Sequence, residues 1–187
     1  MKENKILKYT LFLLFLGLIA GVLLGSINAL TAPIIDQREK EELLAALYEE
    51  FDYPDFSLSQ KENYENLDSA IEDIFFAFDE DGKLAAVIYQ TAVPGYEKTG
   101  FVRTFVEILV DGSFGVAKMI SHDDTPSFAD SIYDHDFEMK DQKVDNFSPV
   151  TTGVTQTFTL AAITKGFNEA AKHFRSIQST LGGITND

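Results

Sequence analysis

The chain contains no cysteine and no tryptophan, and only three of its 187 residues are histidine. The absence of cysteine excludes thiol catalysis, Cys-ligated iron–sulfur clusters, CxxCH haem attachment and any disulfide that would hold an exported domain. His122, His135 and His173 are far apart in the sequence, so we expect no histidine-based metal site. Any redox chemistry must therefore come from a bound organic cofactor.

Positive charge is also scarce, with 15 Lys and Arg against 30 Asp and Glu and a formal net charge of -15. A phosphate backbone needs basic patches, so nucleic acid is not an expected partner. The chain has no G-x-S-x-G, H-E-x-x-H or Walker sequence, and hydrolase chemistry has no support. We therefore assign no catalytic residue.

One long apolar segment is present near the N-terminus, where residues 9–35 carry no charge. A helix needs roughly 20 apolar residues to cross a bilayer. Lys2, Lys5 and Lys8 precede the segment, and the positive-inside rule places them in the cytoplasm. We predict a cytoplasmic N-terminus at 1–8, a single transmembrane anchor at 9–35, a juxtamembrane helix and linker at 36–66, and an extracytoplasmic domain at 67–187.

A cleaved signal peptide is the alternative interpretation of the apolar segment. Ala29 and Ala32 could supply the cleavage position, but Ile27 and Leu30 stand two residues before them. Large residues there make a poor A-x-A-like site, and the apolar segment is longer than a normal signal core. The pattern favours a retained anchor.

Glycine recurs every fourth residue in the anchor, at Gly17, Gly21 and Gly25. Small residues at this spacing let a second helix approach closely, although glycine is also simply frequent in membrane helices. The repeat favours docking on a membrane partner, so we expect a subunit of a larger assembly.

The remainder of the chain predicts an α+β domain. A helical pattern at 36–51 precedes a polar connecting loop at 52–66. Two pairs of apolar runs surround turns that end in Asp-Gly, which is typical of hairpins and predicts a twisted, mainly antiparallel sheet: the runs are 74–78 with 84–89 and 101–110 with 114–120. Residues 121–147 are polar, and we predict that they pack as irregular structure or short helices around a site. Residues 157–177 predict a long amphipathic helix that covers one face of the sheet.

The sequence T-G-V-T-Q-T at residues 152–157 stands immediately before this last helix. A tight Thr/Gly turn at a helix N-terminus offers backbone N–H groups, hydroxyls and the positive end of the helix dipole, which together suit a phosphate. Short Thr/Gly clusters are common in loops, where threonine is an ordinary cap residue. The hexapeptide becomes a more specific indication of a phosphate site when it is considered together with the other motifs in the chain.

Three segments in this order resemble the FMN-binding domain family: Gly95-Tyr96, S-H-D-D-T-P at 121–126, and the T-G-V-T-Q-T segment, which is similar to the flavinylation motif S/T-G-A-T-x-T. With the single anchor, the chain looks most like the G subunit of the Rnf ion-translocating electron transport complex. It is also related to the C subunit of Na⁺-translocating NADH:quinone reductase. The resemblance covers essentially the whole chain.

The resemblance implies a covalent FMN, held by a phosphoester bond to Thr155. It also implies that Thr152 and Thr157 donate hydrogen bonds to the phosphate and that Gly153 allows the turn around it. The remaining residues that it places at the cofactor are Val154, Asp124, Thr125 and Pro126. For Asp124, a solvated acid in a loop is the alternative, and for Thr155 an ordinary helix cap. His122 could be a proton donor to reduced flavin or a structural residue.

The chain departs from the family pattern at three places. The family's T-P-G-L-G is T-P-S-F-A at 125–129, which loses both glycines, and the alanine of the flavinylation core is Val154. An acid expected shortly before the core is also missing. Valine is larger and β-branched, which matters in a tight turn.

The implied function is that of a membrane-anchored extracytoplasmic flavoprotein, which transfers electrons as a subunit of an Rnf-type ferredoxin:NAD⁺ oxidoreductase that translocates ions. Its expected partners are the other membrane subunits, with a flavin transferase needed for maturation. Two alternatives stay open. One is a solitary flavinylated domain of another extracellular electron-transfer chain, and the other is a degenerate interaction or scaffold module without flavin.

Overall fold

The computed structural model describes residues 3–59, 61–96, 100–125, 130–155 and 157–185. The chain forms two compact units, residues 1–52 and residues 53–187. The first unit is one continuous α-helix, α1, over Glu3–Glu50. The predicted anchor and juxtamembrane helix are therefore a single element.

The stretch Leu7–Ile34 of α1 is a candidate membrane span of 28 residues with a mean hydropathy of 2.5, and no other described helix is long and apolar enough. Its apolar side chains are exposed in the folded chain, as expected for a helix whose natural surroundings are lipid. Length and composition are thus consistent with a single-pass membrane protein.

The second unit contains a five-stranded antiparallel sheet in the order β1-β2-β3-β4-β5. The strands are β1 Asp55–Ser59, β2 Ile71–Phe78, β3 Leu84–Pro94, β4 Phe101–Leu109 and β5 Phe114–His122. Both predicted hairpins are present, as β2–β3 and β4–β5. Gly82 and Gly112 complete their turns with φ of 72° and 80°, a conformation that glycine adopts without strain. The predicted α+β class is confirmed.

Strand β1 lies inside the stretch 52–66 that we predicted to be a connecting loop, and that loop prediction was wrong at this point. The strand pairs with β2, where Asp55 is opposite Phe78 and Ser59 is opposite Ile74. It is a short strand at the edge of the sheet, and only Phe56 and Ser59 in it are buried. Edge strands expose polar side chains, so its sequence shows no apolar run.

The C-terminal helix, α2, spans Thr157–Ile177 and continues as a 3₁₀ segment at Gln178–Gly183. Its apolar side, which includes Ile163, Phe167 and Phe174, is fully buried in the main core. Gly166 of the helix stands directly against Thr91 of β3. The prediction of a long amphipathic helix covering one face of the sheet is confirmed.

The described residues between β5 and α2 are irregular apart from a short 3₁₀ turn at Asp130–Ile132, in agreement with the prediction of irregular structure or short helices. They are tied to the sheet by backbone hydrogen bonds from Phe114 N to Gln142 O and from Val144 N to Gly112 O. Near its end, Val150 N donates to Phe137 O at 2.9 Å, and His135 Nε2 donates to Val150 O at 2.8 Å. These bonds fix the chain just before residues 151–155, which we call the threonine-rich loop.

Candidate functional site

A cavity of about 350 Å³ lies beside the first turn of α2. The lining residues that the structure describes are Tyr96, Asp124, Thr125, Thr155, Thr157, Phe158 and Thr159. They come from three segments, namely the link after β3, the loop after β5 and the entry to α2. Pockets for small ligands span roughly 300–1,000 Å³, so the cavity has the size of a cofactor site.

A buried carboxylate joins the three segments. Asp124 is only 5% exposed, and its Oδ1 accepts a hydrogen bond from the backbone N–H of Tyr96 at 2.9 Å. Its Oδ2 accepts a hydrogen bond from the Thr159 hydroxyl in the first turn of α2 at 2.7 Å. The loop itself is held by His122, whose Nδ1 lies 3.1 Å from the Asp124 carbonyl oxygen and must donate to it.

Two aromatic rings stand at the cavity. Tyr96 and Phe158 meet edge to face, with ring centroids 5.4 Å apart and an interplanar angle of 65°. Their side chains are nevertheless 65% and 62% exposed, so most of each ring is open to a ligand. Aromatic surface of this kind is available for contact with another planar ring.

In the threonine-rich loop, residues 151–155, Val154 is partly buried and the other residues are exposed. Gly153 has a φ of +88° and nothing within 4 Å of the place where a Cβ would stand. Val154 N donates to Thr151 O at 3.4 Å, and the Val154 side chain packs against the main core. Thr155 is exposed and lines the cavity. Val154 therefore anchors the loop, and the larger residue at this position fills core space.

The structure brings four of the predicted cofactor-binding residues to the cavity: Asp124, Thr125, Thr155 and Thr157. Thr152, Gly153 and Val154 belong to the adjoining loop and are not among the lining residues. Pro126 lies outside the described residues, as do Ser127, Phe128 and Ala129. The predicted site residues that the structure describes thus lie at this cavity or in the loop that adjoins it.

Three described lining residues were not among the predicted cofactor-binding residues, namely Tyr96, Phe158 and Thr159. Tyr96 was part of the Gly95-Tyr96 motif but was given no role at the cofactor. Phe158 is a large apolar residue of α2 that lies off the buried apolar side of that helix. Such a residue at the start of an amphipathic helix indicates a contact other than the core. Thr159 resembles any other helix threonine, and nothing in the sequence marks it.

The described lining of the cavity carries one acidic side chain and several hydroxyls. Among the lining residues that the structure describes, Asp124 is the one charged side chain, and none is Lys, Arg or His. The hydroxyls of Thr125, Thr155 and Thr157 supply the remaining polar surface together with the Tyr96 phenol. The arrangement can bind a partly apolar, planar ligand with hydroxyl contacts at one end.

Taken together, the fold defines an α+β protein with one candidate membrane span and a cavity at the sheet–helix junction. Residues 1–49 match the family model described as the RnfG N-terminal region. The match supports an RnfG-like protein, and the RnfG family implies a subunit of an Rnf complex. It ends before β1, so it covers neither the sheet nor the cavity. Comparison with curated proteins found no match.

Proposed function

We propose that the protein is a membrane-anchored flavoprotein that carries FMN as a phosphoester on Thr155 and transfers electrons within an Rnf-type complex. The observation that carries the proposal is the position of Thr155. It is exposed and lines the same cavity as the Tyr96–Phe158 ring pair. The family match to residues 1–49 independently supports an Rnf-type subunit.

The residues of the cavity fit the parts of FMN. The open faces of Tyr96 and Phe158 suit a planar heterocycle. The hydroxyl of Thr157, the first residue of α2, suits a phosphate group, and we propose that Thr152 of the adjoining loop adds a second hydroxyl. An ester at Thr155 would hold that phosphate between the aromatic rings and the threonine hydroxyls.

Bound FMN would supply a ring that accepts one or two electrons, and that chemistry belongs to the cofactor. The contribution of the chain is to retain and orient the ring. Thr155 tethers it, Tyr96 and Phe158 flank it, and Asp124 fixes the backbone on both sides of the cavity. An ester tether prevents loss of the cofactor outside the cytoplasm.

Attachment requires an activated donor, for which we propose a flavin nucleotide anhydride used by a flavin transferase. The Thr155 hydroxyl oxygen forms a new bond to the phosphorus of the FMN moiety. The anhydride bond breaks, a nucleoside monophosphate leaves, and the hydroxyl proton goes to a base of the transferase. No electrons are exchanged in this step.

The membrane partners and the orientation complete the proposal. Lys2, Lys5 and Lys8 favour a cytoplasmic N-terminus, which places residues 67–187 outside. The glycine repeat of the anchor faces open space in the isolated chain, and we propose that it meets a helix of another Rnf subunit. Electrons would then pass between the tethered ring and those subunits.

The decisive experiment is in-gel flavin fluorescence after denaturing electrophoresis, on protein exported from cells that contain an active flavin transferase. We expect a fluorescent wild-type band, no fluorescence for Thr155→Ala, and full fluorescence for the matched control Thr151→Ala, which changes an exposed threonine of the same loop. Intact mass should increase by one FMN less one water. A dark wild-type band beside a fluorescent positive-control protein would contradict the proposal and favour the scaffold alternative.

A further inference from the structure

We propose that Asp124 lowers the midpoint potential of the flavin through the buried negative charge of its carboxylate. The inference rests on the proposed function, since it concerns the cofactor tethered at Thr155. Asp124 and Thr155 line one cavity, so a ring that enters it from Thr155 lies against this carboxylate. Asp124 is thus assigned to tuning the cofactor as well as to holding the loop.

Both oxygens of the Asp124 carboxylate accept a hydrogen bond. The donors are the Tyr96 N–H and the Thr159 hydroxyl. The group also lies at the first turn of α2, where the helix dipole favours a negative charge. A negative charge is therefore favoured at this position by two hydrogen-bond donors and by the helix dipole.

The charge is also fixed in place and shielded from solvent. Asp124 is only 5% exposed to solvent. Two donors from separate segments hold its oxygens, and Gly95 packs against it. A charge in such surroundings is screened far less by water and salt than a surface charge.

Reduction adds negative charge to a flavin ring, and a fixed carboxylate beside the ring opposes that addition. The oxidised ring is therefore favoured over the reduced ring, which lowers the midpoint potential. Removing the charge while keeping the shape should raise the potential. Asn in place of Asp124 can still accept from Tyr96 N and keeps nearly the same volume.

The neighbouring residue provides a matched control. The side chain of Asp123 is 52% exposed, accepts from Phe101 N at 2.9 Å and lies 3.7 Å from the Arg103 guanidinium. Asp123→Asn removes the same charge one residue away, but from a site that is paired and in contact with water. Its effect on the potential should be small and should disappear at high salt.

The test is a spectroelectrochemical titration of the flavin-loaded full-length protein in detergent, at one pH and at low and high salt. We expect Asp124→Asn to shift the midpoint potential to a more positive value at both salt concentrations, whereas Asp123→Asn stays near the wild type. Near-UV circular dichroism checks that each variant keeps its packing. If Asp124→Asn does not fold, Asp124→Ser is the second neutral variant, because it removes the charge and adds no bulk to the packed site.

The outcomes separate this inference from the proposed function. A fluorescent, folded Asp124→Asn protein with an unchanged or more negative potential would overturn the inference and leave the flavoprotein proposal intact. Equal shifts for Asp124→Asn and Asp123→Asn would also overturn it, because they would indicate a general surface-charge effect. A wild-type protein without flavin would overturn both.

Discussion

The carboxylate of Asp124 occupies the space in which a side chain on Gly95 would begin. A Cβ atom added to Gly95 would lie 2.5 Å from Asp124 Oδ1 and 2.6 Å from Oδ2. The same carboxylate accepts the N–H of Tyr96, the next residue along the chain. The link after β3 therefore needs glycine at this position so that its backbone can rest directly on the buried acid.

We expect Gly95→Ala to displace Asp124 and to destabilise the domain by roughly 1–3 kcal/mol, the usual cost of forcing a methyl group into a packed site. Urea denaturation followed by circular dichroism measures the loss. Gly182→Ala is the matched control, because nothing lies within 4 Å of a Cβ at that position. Equal stability of the two variants would show that the carboxylate moves away at little cost.

The Thr159 hydroxyl is the second restraint on Asp124. Thr159→Val keeps the shape of the side chain but removes the donor to Oδ2, which leaves a buried acceptor without this partner. A buried acceptor that loses its donor costs about 1–3 kcal/mol. We expect a lower midpoint of urea unfolding with an unchanged dependence on urea concentration.

Thr164→Val is the control for that exchange, since Thr164 lies in the same helix, is only partly buried and is not among the residues lining the cavity. Its effect should stay within about 0.5 kcal/mol. If both variants lost the same stability, the cause would be the helix propensity of valine rather than the hydrogen bond to Asp124.

The elements of this fold that follow local patterns could be predicted from the sequence. An uncharged run of apolar residues specified α1, and two Asp-Gly turns between apolar runs specified the hairpins. Helical spacing of apolar residues specified α2. Strand β1 was missed because its stability comes from pairing with β2, which no local pattern records.

The cavity was only partly predictable for the same reason. Its motif residues, such as Thr155 and Asp124, were found through a resemblance. The contacts that shape the cavity join residues distant in the chain, since Asp124 is 28 residues from Tyr96 and 35 from Thr159. Such pairs depend on how α2 crosses the sheet, and that geometry is a property of the packed domain.

We expect the free energy of unfolding to depend on pH through the partly buried His173. Burial lowers the pKa of this imidazole from its ordinary value of 6.5, because the charged form loses hydration. Its Nδ1 is 3.0 Å from the buried Tyr89 hydroxyl, and the Tyr64 ring packs edge to face against it at 4.7 Å. Its Nε2 is buried without a hydrogen-bond partner among the described residues.

A lowered pKa in the folded state means that the unfolded chain binds the proton more readily. The contribution of His173 to the free energy of unfolding is therefore complete above about pH 6.5 and is lost as the pH falls below that value. We expect His173→Gln to show a shallower loss of stability between pH 7 and 5 than the wild type. If the free energy of unfolding fell equally with pH in the two proteins, His173 would not contribute to the pH dependence. The carboxylates common to both proteins would then explain the whole loss of stability.

Helix α2 lies close against the sheet at Gly166. A Cβ there would collide with Thr91 Oγ1 and would lie 3.2 Å from Thr104 Oγ1, and these two buried hydroxyls are themselves hydrogen-bonded at 2.6 Å. Alanine favours a helix over glycine by up to about 1 kcal/mol, whereas overpacking costs typically 1–3 kcal/mol. Because the obstacle is a short, buried side chain on a strand, we expect overpacking to dominate and Gly166→Ala to destabilise the domain.

A double-mutant cycle with Thr91→Ala tests whether the contact with Thr91 causes this loss of stability. Deleting the Thr91 hydroxyl should then recover most of the loss. Additive effects of the two substitutions would instead place the strain in the helix backbone.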